Sequence, residues 1–211
     1  MASGPRIVGI AGPPGGGKST LARRVGDELA DTLVISMDDY YFSKAERVAR
    51  GLVWRGPPGS HDVVALLDVL DRIRAGRSPL TMQRFSAEID DRIDPVTIAS
   101  MPAHTIIDGW VLGHRGDGYA RILDRLDLLV FFDVPIHVAR TRRFEREASL
   151  RASGGGFSEH EMQRFWDEVL APGLDRWVRD AKESADLVIS TDDAGALRSV
   201  TTSSPVVLAA L

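Results

Sequence analysis

The chain has 211 residues, 44% hydrophobic and 27% charged, with a formal net charge of -4 and a pI near 5.7. That balance suits one domain with a substantial core and argues against a general nucleic-acid surface. With no cysteine there is no disulfide, thiolate metal site or thiol nucleophile, and with no signal-peptide profile and no apolar run near the ~18 residues of a membrane span, a cytoplasmic enzyme or switch is the expected class.

Residues 6–11, from Arg6 to Ala11, read as a first apolar strand. It runs into Gly12-Pro13-Pro14-Gly15-Gly16-Gly17-Lys18-Ser19, the full G-x-x-x-x-G-K-[ST] spacing of a phosphate-binding loop. This implies a bound nucleoside triphosphate. Pro13 and Pro14 carry no amide hydrogen, so donors to a phosphate are expected from Gly15, Gly16, Gly17, Lys18, Ser19 and Thr20, with Gly12 opening the loop. Lys18 would reach the β- and γ-phosphates and Ser19 would ligate Mg²⁺. A helix over 19–31 sets Leu21, Val25 and Leu29 on one buried stripe. A strand at 32–37 then ends in Asp38 and Asp39. Residues 43–60, rich in charge, Gly and Pro, read as a loop or short helical excursion. Val63, Leu66, Leu67, Leu70 and Ile73 mark an amphipathic helix stopped by Gly76 and Pro79.

Strands follow at 104–108, 126–133 and 186–190. Between the last two lies a helix over 136–152 bearing Arg140, Arg142, Arg143, Arg146 and Arg151, broken at Ser153-Gly154-Gly155-Gly156. Ser158 and Glu161 form a capping box for a long helix that Pro172 should kink or split. The stretch from Thr191 is ambiguous, and its last residues, 205–211, read as either a further strand or a frayed tail.

This order predicts a three-layer α/β P-loop NTPase fold. Its mainly parallel five-stranded sheet carries helices on both faces and binds ligands at the carboxyl ends of the strands. With no repeat or long linker, one domain over 1–211 is expected, with acceptor-side excursions at about 40–62 and 80–100 and a helical lid at about 138–160. A phosphate loop alone also fits GTPases, AAA-type ATPases and transporter ATPases. The chain lacks Asn-Lys-x-Asp, a second apolar strand ending Asp-Glu, and Leu-Ser-Gly-Gly-Gln. A small-molecule kinase remains, with a nucleotide-binding switch or accessory ATPase as the alternative.

Asp38, at the end of a strand beside the loop, would lie near the γ-phosphate. It could take the proton of an acceptor hydroxyl, an effect of ~10²–10⁴ in rate, or it could cap the next turn or hold Mg²⁺ through water. Asp39 would support it or contact the metal through water. The arginine helix is either a solvated face with i,i+4 ion pairs or a lid, hinged at 154–156, that excludes water from the phosphates. As a lid, its candidate arginines are Arg142 and Arg143.

Three segments carry a family resemblance: Asp38-Asp39-Tyr40-Tyr41-Phe42, Arg55-Gly56-Pro57-Pro58-Gly59-Ser60-His61-Asp62 and Asp108-Gly109-Trp110. They resemble the phosphoribulokinase, uridine kinase and pantothenate kinase group of P-loop kinases, and within it D-glycerate 3-kinases most closely. The resemblance implies ATP, Mg²⁺ and a small hydroxyl-bearing acceptor. Glycerate or a related sugar acid comes first, with uridine or another nucleoside, or pantothenate, as alternatives. It further implies acceptor contacts from Asp39, Tyr40, Arg55, His61, Asp62, Arg84, Phe85, Arg92 and Trp110. Asp108, where the family has Glu, falls near Mg²⁺ and the acceptor. For Asp62, capping the helix at 63 is an equal reading. The segment Gln83-Arg84-Phe85-Ser86-Ala87-Glu88 departs from the family's Pro-Arg-Phe-Asp-Lys-Ala. No nucleic-acid or membrane partner is expected, and the protein should be a monomer or homodimer.

Overall fold

The strand that feeds the phosphate loop is apolar on both sides. In β1 (Ile7–Ala11), Ile7 and Ala11 pack into one core cluster while Ile10, with Val8, packs into another, so it needs cover above and below. A computed structural model describes residues 7–116 and 118–202. In it β1 lies inside a sheet ordered β2–β5–β1–β6–β7–β8. It pairs with β5 (His104–Asp108) and β6 (Leu128–Asp133); β2 (Thr32–Ser36) lies beyond β5 and β7 (Leu187–Thr191) beyond β6, all parallel, and β8 (Leu197–Thr202) is antiparallel to β7. Register sets the functional end of the sheet. Asp108 pairs with Ile10 on one side and Ser36 on the other. The loop after β1, the turn after β2 and the last side chain of β5 therefore emerge together.

Helix α1 (Lys18–Glu28) covers one face through Leu21, Ala22 and Val25. It stops three residues short of its expected end. Leu29 is already extended and largely exposed, so it does not join the stripe. The opposite face holds the larger core, built on α3 (Val63–Arg74), whose Leu66, Leu70 and Ile73 are fully buried. The segment between contributes α2 (Lys44–Ala49), with its own capping box of Ser43 and Glu46. The short α4 (Ala120–Leu123) precedes β6, and α5 (Ile136–Ala152) follows it.

Two features lay outside the sequence reading. The sheet described here has a sixth strand, β8, from the region left open after residue 191; Arg6 and residues 205–211 lie outside the described residues. Separately, β3 (Leu80–Ser86) and β4 (Asp91–Ile98) form an antiparallel hairpin. Most of β4 is exposed, so no alternation of buried and solvated residues announces it.

Pro172 neither splits nor ends its helix. Helical backbone runs from α6 (Glu159–Phe165) through α7 (Ala171–Gly173) to α8 (Arg179–Ser184), and the winding widens to π-type turns at Trp166–Leu170 and Leu174–Val178 on either side. A wider turn relieves the clash between the pyrrolidine ring and the carbonyl four residues back.

Leu70 of α3 packs at zero exposure within the larger core. Leu70→Ala should cost about 2–5 kcal/mol of unfolding free energy in urea denaturation. A loss below about 1 kcal/mol would contradict this core assignment.

Candidate active site

The loop between β1 and α1 wraps a space open to anions. Gly15 has φ +82°, and a Cβ there would lie 2.1 Å from the Ala139 carbonyl oxygen of α5, so only glycine permits this approach. The Gly16 amide donates to Pro13 O at 3.0 Å and the Thr20 amide to Gly17 O at 3.1 Å. Among the described residues no acceptor meets the amides of Gly15, Gly17, Lys18 and Ser19. Those four donors lie together at a helix N-terminus, an arrangement that suits an anion. Of the six amides expected from the sequence, those of Gly16 and Thr20 have these internal acceptors.

Lys18 is buried, its ammonium donating to Pro13 O at 2.9 Å. Burial lowers its pKa from 10.5 to about 8, against the opposing pull of Asp108 and Asp38; Arg146 adds to the lowering. The Ser19 hydroxyl donates to Asp108 Oδ1 at 3.0 Å. Burial raises the Asp108 carboxyl from 3.8 to about 6, with Lys18 pulling it back and Asp38 pushing it further up. Among the described residues no three His, Cys, Asp or Glu side chains could hold a metal together. The Ser19–Asp108 pair is instead the sparse, hard-oxygen set that suits Mg²⁺, an ion that keeps its waters and takes further oxygens from phosphates.

After β2 the chain makes one 3₁₀ turn, Met37–Tyr40. In that winding side chains three apart eclipse, so Asp38 shares a face with Tyr41 while Asp39 points elsewhere. The Tyr41 hydroxyl donates to Asp38 Oδ1 at 2.9 Å. Asp39 Oδ1 accepts from the Phe85 amide at 3.0 Å and lies 3.4 Å from Arg84 Nε, joining the turn to β3. Its carboxyl is raised by burial against those two partners.

Asp38 stands in the walls of two adjoining cavities. One, of about 480 Å³, contains the phosphate loop, and the other, of about 690 Å³, reaches Met82, Gln83 and Arg84 of the hairpin. Ser19, Asp39, Arg55, Asp108 and Arg146 also line both. Trp110 and Phe85 line the first, with Tyr41, which sequence reasoning did not single out.

The other acceptor candidates sit behind this wall. Tyr40 is buried with its hydroxyl unpartnered among the described residues. His61 is buried and its Nδ1 lies 2.8 Å from the Tyr119 hydroxyl; burial lowers it to about 4, so it is neutral. Asp62 caps α3 through the Ala65 amide at 3.0 Å and also pairs with Arg92 Nη2 at 3.2 Å. Arg55 and Arg47 both pair with Asp90 at the hairpin tip.

Helix α5 divides its arginines. Arg143 is buried and bound to the fully buried Glu147, which also accepts from the Phe157 amide at 2.6 Å. All three of Arg142, Arg143 and Arg146 line the cleft, Arg142 and Arg146 without a described ion-pair partner. Arg146 follows Arg142 by four residues, a same-face spacing visible in the sequence but not singled out there. Beyond the helix, Gly154 and Gly156 adopt positive φ, and Gly155 packs against Glu88 of the hairpin.

With this geometry in place, comparison with known proteins gives a consistent result. The chain is 27% identical over 218 residues to a pantothenate kinase of a Nocardioides species, covering 89% of this chain and 66% of that one. It is 26% identical over 185 residues to a uridine kinase of Borrelia hermsii, covering 87% and 85%. It thus spans just under two thirds of the first relative. The fold matches that of a D-glycerate 3-kinase from Cryptococcus neoformans with a TM-score of 0.72 at 19% identity, over 94% of this chain and 89% of that one. No protein-family model matches. Sequence relatives and structural neighbours both fall in the P-loop kinase group to which the motifs pointed.

The buried ammonium has a measurable consequence. Between pH of about 8 and 10.5 the unfolded chain keeps the Lys18 proton and the folded chain has lost it, so stability of the unliganded protein rises with pH across that window. Below it the cost is fully present, on the order of 3 kcal/mol. Lys18→Met should raise unfolding free energy at pH 7 and flatten the rise above pH 8. Identical pH dependence in the two proteins would remove the claim.

Proposed function

We propose that this chain is an ATP- and Mg²⁺-dependent kinase that transfers the γ-phosphate to a hydroxyl of a small anionic metabolite, glycerate or a related sugar acid. The observation that carries the reading is the position of Asp38 in the wall common to the phosphate-loop cleft and the cavity beside it. A triphosphate cradled at the start of α1 and an alcohol in the second cavity meet at its carboxylate. Asp38 takes the hydroxyl proton as the acceptor oxygen bonds to the γ-phosphorus. The bond from that phosphorus to the β–γ bridging oxygen breaks, and ADP leaves. Lys18, Arg142 and Arg146 stabilise the charge that spreads over the phosphoryl oxygens. Arg143, tied to Glu147, fixes the helix that presents them. Mg²⁺, held by Ser19 and Asp108, would supply further charge neutralisation at the phosphates.

An acid is favoured as acceptor because Arg55, Arg84 and Arg146 line the second cavity, where a guanidinium can meet a carboxylate. Pantothenate, which also carries a carboxylate and a primary alcohol, is the second reading, supported by the Nocardioides relative. A nucleoside such as uridine, supported by the Borrelia relative, lacks the charge. A switch or accessory ATPase would have no use for the second cavity. The reading goes with a cytoplasmic monomer or homodimer without nucleic-acid or membrane partners. No helix among the described residues is long and apolar enough to cross a membrane.

Asp38→Asn should lower kcat by ~10²–10⁴ while leaving ATP affinity, measured by calorimetry, within a few-fold. Near-normal turnover would remove the base. In an ADP-release assay, glycerate or pantothenate should give signal above uridine, cytidine and fructose. A response confined to the nucleosides would overturn the acidic acceptor.

A further inference from the structure

The base has a fixed partner. We infer that Tyr41 is the positioning residue for Asp38: its hydroxyl pins one carboxylate oxygen and leaves the other aimed at the acceptor. The inference rests on the kinase reading above and adds a residue to it.

The 3₁₀ turn brings the two side chains onto one face, and the resulting hydrogen bond to Oδ1 is 2.9 Å long. The phenol cannot swing away. Its ring lies 4.3 Å from the His61 ring and meets the edge of Phe85 at 5.3 Å, and the side chain is 5% exposed. The backbone is held as well. Tyr41 bridges to His61 as an isolated antiparallel pair, and its carbonyl accepts from Arg92 Nε at 3.0 Å. Burial and the Asp38 carboxylate push the phenol far above its ordinary range, with Arg55 and Trp110 pulling the other way, so at neutral pH it remains a donor. Neutral His61 supplies a stacking surface rather than a competing cation for Asp38. A carboxylate held by one oxygen loses its rotation, and the proton-accepting oxygen is oriented before substrate arrives.

The test is a double-mutant cycle on Tyr41→Phe and Asp38→Asn. ADP release from MgATP is followed with D-glycerate, pantothenate or uridine, and with water alone as acceptor, using excess enzyme for slow variants. Tyr41→Phe should lower kcat about tenfold with the KM for ATP within twofold and the thermal midpoint unchanged. In the Asp38→Asn background the same change should cost nothing further, because the partner it orients is gone. Wild-type kcat in Tyr41→Phe, or an equal loss in both backgrounds, overturns the positioning role and leaves Asp38 as base. An active Asp38→Asn single variant overturns the base and the positioning role together.

Discussion

An ammonium group kept out of water governs this cleft. Lys18 has one direct hydrogen-bond acceptor, the Pro13 carbonyl, and two carboxylates nearby that only partly offset its desolvation. Parallel pairing of β2, β5 and β1 forces the arrangement, since Ser36, Asp108 and Ile10 share one row of the sheet. Without an anion the site is therefore under electrostatic stress. On the proposed function, a phosphate would bring the missing negative charge to the four amides that have no acceptor among the described residues. On that reading the stress without a phosphate and the affinity for one have the same origin.

The acceptor side is held by acids used as staples. Asp39 joins the turn after β2 to the hairpin, Asp62 joins the helix start to Arg92, and Asp90 joins the hairpin tip to Arg47 and Arg55. These pairs are partly or largely shielded from solvent, where charge pairs hold geometry better than exposed ones do. Residues named for substrate contact thus split into a front row, such as Arg55, Arg84 and Trp110, and a supporting row of Tyr40, His61, Asp62 and Arg92. Across the cleft, Glu147 plays the same stapling part by taking both Arg143 and the amide of Phe157.

What could be read from the residues was whatever depends on period or on fixed spacing. The parallel strands declare themselves as apolar runs, and the phosphate loop, the Asp62 cap and the Ser158–Glu161 box each follow from a local rule. What escaped depends on tertiary placement. The hairpin β3–β4 buries little of its second strand, so its pattern is silent. The choice between Tyr40 and Tyr41 turns on the phase of a single 3₁₀ turn, and the choice among Arg142, Arg143 and Arg146 turns on where Glu147 lies. Both are matters of a few ångströms that composition does not encode. Pro172 misled for a related reason: a helix can widen around a proline when a buried face, here Trp166, Val169, Leu170 and Val178, keeps it in place.

The tryptophans are distributed unevenly. All four sit on the side of the cleft formed by the 54–56 loop, the end of β5 and the helical run from Glu159. Trp54 touches Phe157 and Phe165, Trp110 lies against Trp177, and Trp166 meets Phe144 of α5. Gly173 has no side chain to keep Trp110 and Trp177 apart. Any shift of the arginine helix relative to this cluster alters the surroundings of indoles and of nothing else that fluoresces as strongly. The molecule therefore carries a built-in optical gauge of any such shift, readable without a label.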